Sequence, residues 1–330
     1  MSYDGKIMAR ALARFDEDKQ RRAQQFRQRR EELYRRTPRL EEIDRQLRST
    51  LPRIIASALD RGADPLPAIR VLRDENLSLQ RERETLLTGM GYDPHALEET
   101  PNCPLCRDTG YRGSDVCRCL QEYYAREQIA ELSRLLPMGT QTFDTFSFDW
   151  YGEEKNGLPY SPRETAEHNF DVCRDYAYQF SPRSGNLLLF GPPGLGKTFL
   201  SACIARVVSE NGHSVVYDTA GHIFARMEDA KFRRDEEDDS QRDVDRCFSC
   251  DLLIVDDLGT EMHTAFVQSA LYQLLNGRLL SGGKTILNTN LTPQQLGQRY
   301  GTQILSRLEG EYEFLPFTGQ DIRILKKERK

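Results

Sequence analysis

Two short stretches of this chain combine residue types and spacings that can do chemistry. Gly191, Pro192, Pro193, Gly194, Leu195, Gly196, Lys197 and Thr198 fit the phosphate-loop pattern G-x-x-x-x-G-K-[ST]. Glycines at these places let backbone N–H groups turn inward on phosphate oxygens, and a following helix adds its positive N-terminal end. Lys197 would reach the β- and γ-phosphates of ATP, and Thr198 would ligate Mg2+. The second stretch runs from Cys103 to Cys119. Cys103, Cys106, Cys117 and Cys119 give Cys-x2-Cys, ten residues, then Cys-x-Cys. Four thiolates satisfy one tetrahedral Zn2+ and leave no open position, so the metal would be a structural staple rather than a catalyst. A redox or iron–sulfur role is the competing reading.

A third group completes the nucleotide chemistry. "DLLIVDD" reads as an apolar strand, Leu252 to Val255, that ends in two acids. Asp256 is suited to hold Mg2+ through water, and Asp257 to orient or deprotonate an attacking water. The plainer reading is a strand that stops in a polar turn. Aspartate at 257, shorter than the glutamate often found in such a role, leaves the hydrolysis rate open.

The elements that must position these residues are also legible. "NLLLF" (186–190) precedes the phosphate loop and "FLSACIARVVSE" follows it as a helix. "SVVYD" (214–218), "DLLIVDD" (251–257) and "KTILNTN" (284–290) are further short apolar runs separated by helical stretches. That alternation predicts an α/β domain, a mainly parallel sheet with helices on both faces, over 166–330. A helix is expected at about 166–180. Residues 1–99 read as helical: Leu40, Ile43 and Leu47 recur after a Thr37-Pro38 start, and Leu72, Leu79 and Leu86 recur with Ile69. The expected helices are short and amphipathic, without a long coiled coil. Residues 100–136 hold the cysteine loop and one more helix, and 137–165, rich in Pro, Gly and aromatics, form a linker that docks on the α/β domain.

Composition narrows the setting. The chain has 330 residues, 29% charged and 38% hydrophobic, with a net charge of −5. Bulk charge therefore does not point to nucleic acid. No apolar run reaches the roughly 18 residues of a membrane helix, and no secretory signal is evident. The expectation is a cytoplasmic protein with no membrane partner, in which clustered thiols bind metal more often than they form disulfides. Cys247 and Cys250 form a second Cys-x2-Cys without a further pair beside it, and Cys173 and Cys203 lie at helical positions; all four are expected to be buried structural thiols. The acidic run 235–239 reads as a solvated loop.

Five segments occur in order: "LLLFGPPGLGKTFL", "DLLIVDDLGTE", "TILNTNL", "ILSRLEG" and "GQDIR". Over roughly 140–325 this set resembles the AAA+ ATPase domain of DnaC/DnaI-type helicase loaders and the related IstB transposition helpers. The resemblance implies that Asn290 senses the γ-phosphate, that Arg307 acts as a finger on a neighbouring subunit's nucleotide, and that Arg323 is a second phosphate sensor. A guanidinium suits spread phosphate charge. The alternatives are a turn-forming amide at 290, an exposed helix arginine at 307 and a surface strand residue at 323. Twenty-three residues follow Arg307, fewer than a full AAA+ helical lid, as in the loaders.

"CPLCRDTGYRGSDVCRCL" resembles the zinc-binding part of DnaI-like loaders, a part that IstB-type helpers generally lack. The resemblance implies a DnaB-type replicative helicase as partner of the N-terminal region, single-stranded DNA as a second partner, and self-association on ATP. The segment 221–246 corresponds to a DNA-facing helix in the loaders. Its net acidity leaves Lys231, Arg233 and Arg234 as the candidate contacts. Three functions stay open: an ATP-dependent helicase loader, an IstB-like transposition helper, and a nucleotide-gated adaptor with little hydrolysis.

Overall fold

The computed structural model describes residues 3–59, 66–135, 141–155, 157–232 and 239–329. The chain divides into two compact units, one of residues 14–117 and one of residues 1–13 with 118–330.

The smaller unit is helical. It holds α1 (Gly5–Arg36) from residue 14 on, α2 (Pro38–Leu59) and α3 (Leu66–Gly89); these helices are 32, 22 and 24 residues long, so they are not the short helices expected. Pro38 does open α2, because its ring pre-sets the helical φ and its missing N–H would have been unpaired there. Thr37 directs its hydroxyl to the Met90 sulfur, 3.3 Å away. Leu33, Leu40, Leu87 and Leu97 form a small buried core. Arg83 lies between Asp44 and Glu98, at 3.4 and 2.8 Å. After α3, the strands β1 (Tyr111–Arg112) and β2 (Asp115–Val116) form a two-residue antiparallel ribbon inside the cysteine loop.

In the larger unit, α4 (Arg118–Leu135) and α5 (Pro162–Tyr178) precede the sheet. Helix α5 starts four residues before the expected helix. Ser161 and Glu164 cap each other's backbone N–H and Pro162 takes the first position, a start signal present in "SPRE". Then come β3 (Asn186–Phe190), α6 (Lys197–Glu210), β4 (Val215–Thr219), α7 (Ala220–Phe232), α8 (Asp239–Ser249), β5 (Leu252–Leu258), α9 (Ala265–Ser281) and β6 (Lys284–Thr289). Helices α10 (Pro293–Tyr300) and α11 (Thr302–Glu311), strand β7 (Tyr312–Pro316) and helix α12 (Ile322–Glu328) follow. The five strands β3 to β7 pair in parallel in the order β4-β5-β6-β3-β7, so the mainly parallel sheet expected is found.

Alternate side chains of the strands feed two cores. Leu187, Leu189, Tyr217, Leu252, Ile254 and Ile286 pack on one face with α5 and α6. Leu188, Leu253, Val255 and Leu287 pack on the other with α7 and α9. Burial on both faces explains why these strands read as continuous apolar runs rather than alternating ones. The outer edge of β4 is closed by a side chain: the Gln128 carbonyl oxygen accepts the Val215 N–H at 3.1 Å, while its amide nitrogen donates to Ser209 Oγ and the His213 carbonyl. Cys173, Cys203, Cys247 and Cys250 are buried free thiols, as expected.

Arg278, only 1% exposed, occupies a core position, and its hydrogen-bond partners among the described residues are neutral. Its guanidinium donates to the Cys247 and Lys284 carbonyls at 2.7 and 2.6 Å and to Thr285 Oγ1 at 2.9 Å. It thus ties the end of α8 to the start of β6 through fixed dipoles rather than through an opposing charge. Arg278→Ala leaves these acceptors buried and unpaired beside a new void. It should lower stability by about 3 kcal/mol, read as a fall in the urea midpoint with an unchanged m-value.

Candidate nucleotide site and cysteine cluster

The carboxyl ends of β3, β5 and β6 meet at one edge of the sheet, where open α/β sheets place ligands. Between β3 and α6 the phosphate loop turns through positive φ at Gly191, Gly194 and Gly196. At two of these glycines close approach is also decisive. A Cβ on Gly191 would strike the Phe317 carbonyl, and one on Gly194 would strike the Asp321 carboxylate. The "GQDIR" segment therefore lies directly against the loop, and the Ile322 N–H donates to the Gly194 carbonyl at 3.1 Å.

Lys197 is 7% exposed and folds back over the loop, donating to the Gly191 and Pro192 carbonyls at 2.6 and 2.8 Å. Burial lowers its pKa to about 8, against the opposing pull of Asp256 and Asp257. The side chain is thus parked, partly desolvated, where phosphate oxygens would displace the two carbonyls.

Strand β5 ends irregularly. Val255 pairs with Leu287 and Leu258 with Thr289, so β5 uses one more residue than β6 over that interval. Such a bulge re-aims side chains. Asp256 stays buried, 4% exposed, and Asp257 turns outward with φ +55°. Four donors hold the Asp256 carboxylate: Tyr217 Oη at 2.6 Å, Asn288 Nδ2 at 3.0 Å, the Asp257 N–H at 3.0 Å and Thr198 Oγ1 at 3.4 Å. Ser201 Oγ in turn donates to Asn288 Oδ1 at 2.9 Å, which fixes the amide's orientation. The left-handed backbone at Asp257 is held by Thr260, whose N–H and hydroxyl both donate to its carbonyl. Glu261 supports the same turn by accepting the Gly259 N–H and pairing with Arg299 and Tyr300. Desolvation, then the adjacent Asp256 charge, raise the Asp257 pKa.

A cavity of about 540 Å3 opens over the loop. Lys197, Thr198, Asp257, Asn290 and Arg323 line it together with the phosphate-loop residues Pro193, Gly194, Leu195 and Gly196. Phe146, Trp150 and Tyr151, from the stretch read as a linker, line it as well. Tyr151 Oη donates to the Leu195 carbonyl at 2.9 Å, and Phe146 packs with Phe148, Tyr151, Phe170 and Phe199. This linker stretch is a wall of the site, a role its run of aromatics could have signalled. Tyr217, Asn288 and Glu261 were also missed. Asn288 and Glu261 lie inside segments that carry the resemblance, but their roles, like that of Tyr217, arise only from what the sheet brings near them. Arg323 lies on α12, a helix and not the surface strand considered as its alternative.

Arg307 is elsewhere. It lies on α11 with its guanidinium 5.5 Å from the Tyr272 ring centroid, is not among the residues lining the cavity, and its Nε has no hydrogen-bond partner among the described residues.

The thiols of Cys103, Cys106, Cys117 and Cys119 all lie within 4.8 Å of one another. Cys103 Sγ and Cys117 Sγ are 3.8 Å apart, the separation expected for two thiolates on one tetrahedral zinc, about 3.8 Å for Zn–S bonds near 2.3 Å. Asp108 shapes the first knuckle, with φ +58°, accepting the Asn102 and Cys103 N–H groups at 3.0 and 2.8 Å. The donor set fits Zn2+. The phosphate loop, with Thr198 and Asp256 side by side, fits ATP and Mg2+.

Residues 171–330 match the model of the IstB-like ATP binding protein family, and this part of the chain is an IstB/DnaC-family AAA+ domain. The chain is 23% identical over 153 residues to the replicative helicase loader DnaC of Buchnera aphidicola subsp. Baizongia pistaciae, covering 46% of this chain and 62% of that protein. It is 30% identical over 165 residues to the insertion sequence IS21 ATP-binding protein of Pseudomonas aeruginosa, covering 48% and 60%. The chain thus spans about three fifths of the length of these curated relatives. Among solved structures, the DnaC helicase loader superposes with a TM-score of 0.44 at 19% identity, over 55% of this chain and 99% of that one. DnaI gives 0.44 at 18% identity, over 57% and 93%. No helix among the described residues is long and apolar enough to cross a membrane.

Two outcomes follow from this geometry. The purified protein should carry one zinc per chain by elemental analysis, and Cys117→Ser should weaken zinc binding at least roughly tenfold in a chelator competition. ATP binding should depend on pH through Lys197, because only the ammonium form attracts phosphate. As pH rises above about 8 the free protein loses that proton and must regain it to bind. The dissociation constant for ATP, measured between about pH 6 and pH 10, should therefore rise toward tenfold per pH unit on the alkaline side; a flat profile would mean that Lys197 stays charged throughout.

Proposed function

We propose that this protein is an ATP-dependent loader that places a hexameric DnaB-type replicative helicase on single-stranded DNA. The observation that carries the reading is the conjunction in one chain of an IstB/DnaC-family nucleotide site with a four-thiolate cluster of zinc geometry in a separate stretch before it. In this reading residues 1–99 bind the helicase, 100–136 form the zinc module and its helix, 137–165 link, and 166–330 are the ATPase.

Hydrolysis would use the residues already placed. Bound Mg2+ would neutralise phosphate charge, held by Thr198 and Asp256. Lys197 would leave its two carbonyls for the phosphates, and Asn290 and Arg323 would reach them from the cavity wall. Asp257, with its raised pKa, would orient and accept a proton from water. Arg307, outside the cavity of its own chain, would serve a neighbouring subunit's nucleotide, so ATP-dependent self-association would be part of turnover. DNA contact would fall at the end of α7. There the Lys231 ammonium lies 5.6 and 5.5 Å from the Phe232 and Phe266 ring centroids, and Phe232 is 66% exposed. A cation beside open aromatic faces suits stacked bases and phosphates. Arg233 and Arg234, the other candidate contacts, lie outside the described residues.

A second reading is supported by the 30% identity to the IS21 protein: an IstB-like helper of transposition. The test uses the full chain, because removing residues before 137 would take Gln128 away from the edge of β4. Native mass spectrometry of the chain with the helicase of its own host, with and without ATP, should give a complex that the double variant Cys103→Ser, Cys106→Ser weakens. No complex under either condition would sink the loader reading and favour the helper.

A further inference from the structure

The helix that carries Arg323 has little of its own to hold it in place. α12 buries none of its residues, and Ile324 is 56% exposed. Seven residues are too few for a helix to persist on local energetics. Its first turn is tied to the domain: Asp321 accepts the Arg323 N–H at 2.8 Å, and Ile322 is bonded to Gly194. Past that turn, two cations converge on one ring. The Arg329 guanidinium is 4.6 Å and the Lys326 ammonium 5.4 Å from the centroid of Trp150, the chain's single tryptophan.

Trp150 lines the same cavity as Arg323. It ends the short 148–150 turn, where the Ser147 hydroxyl accepts the Asp149 N–H, and it is flanked by the ring cluster of Phe146, Phe148, Tyr151 and Phe170. An indole face is the strongest ring partner for ammonium and guanidinium groups. The indole thus meets a helix that buries none of its residues fully, at the end away from the turn tied to Gly194.

We propose that Trp150 is a positioning residue for nucleotide binding, whose ring seats α12 through Lys326 and Arg329 and so holds Arg323 at the cavity mouth. The proposal rests on the nucleotide reading of the site and adds to it a residue that acts on the ligand through another. It also makes the lone tryptophan a reporter, because anything that shifts α12 changes the charge beside the indole.

The test has two arms on the full-length chain. In the first, hydrogen exchange of the 322–329 amides is followed by mass spectrometry without nucleotide for the wild type, Trp150→Ala, Trp150→Phe and Arg329→Ala. Exchange should quicken in Trp150→Ala, change little in Trp150→Phe, which keeps an aromatic face, and quicken less in Arg329→Ala. The last variant leaves the ring cluster whole and so guards against a folding defect. In the second arm, ATP affinity is measured for Trp150→Ala, Arg323→Ala and the pair. Trp150→Ala should bind roughly five- to tenfold more weakly, and the double variant no more weakly than Arg323→Ala alone. Wild-type tryptophan fluorescence should change on adding ATP. Unaltered exchange in both Trp150→Ala and Arg329→Ala, or losses that multiply in the double variant, would overturn the proposal; multiplying losses would mean that Trp150 touches the ligand directly. A wild type that binds no ATP would sink the nucleotide reading, while the exchange arm would still decide whether Trp150 seats the helix.

Discussion

Asp256 is the point on which the rest of the site depends. A carboxylate that is 4% exposed must be paired with donors or be neutralised, and here its donors come from three strands and a helix. Tyr217 reaches it from β4, Asn288 from β6, Thr198 from α6, and the next backbone N–H from its own strand. The sheet order β4-β5-β6-β3 puts β5 between two of those partners and within reach of the phosphate loop. The one-residue bulge then lets Asp256 stay inside while Asp257 faces the cavity. Without it, strict alternation would leave the two acids on opposite faces of the sheet.

The same economy governs the charged groups around it. Lys197 is held by carbonyl oxygens, Arg278 by carbonyl oxygens and a hydroxyl, and Asp256 by neutral donors. None of these three is bound in a direct ion pair among the interactions described. Dipoles satisfy a buried charge while leaving its net attraction for an incoming ligand in force. That suits Lys197 and Asp256, whose expected ligands carry the opposite charge. For Arg278, buried in the core, the same device ties helix to strand.

Much of this was legible beforehand. The phosphate loop, the Asp256-Asp257 pair and the cysteine spacing rest on strict local patterns, since phosphate cradling and tetrahedral ligation fix residue type at each place. The strands were visible because burial on both faces demands unbroken apolar runs. The helix start at Pro162 is written in "SPRE", four residues before the start that apolar periodicity suggests. Helices α1 to α3 run longer than the sequence pattern suggests, because apolar periodicity marks only the buried part of a helix.

Chain order and side-chain chemistry thus determined by themselves which residues could hold phosphate, Mg2+ and zinc, and that a parallel sheet would carry the first two. Only the tertiary structure decided which residues share a space. It brought Tyr217 and Asn288 to Asp256, set Trp150 and Tyr151 against the loop, placed Arg323 over the cavity on a helix, and left Arg307 outside it. The physical reason is distance along the chain. A glycine loop or a thiol pair works through neighbours a few residues apart, so its spacing is written locally. A hydrogen bond such as that between Tyr217 and Asp256, 39 residues apart, exists only once the sheet has formed.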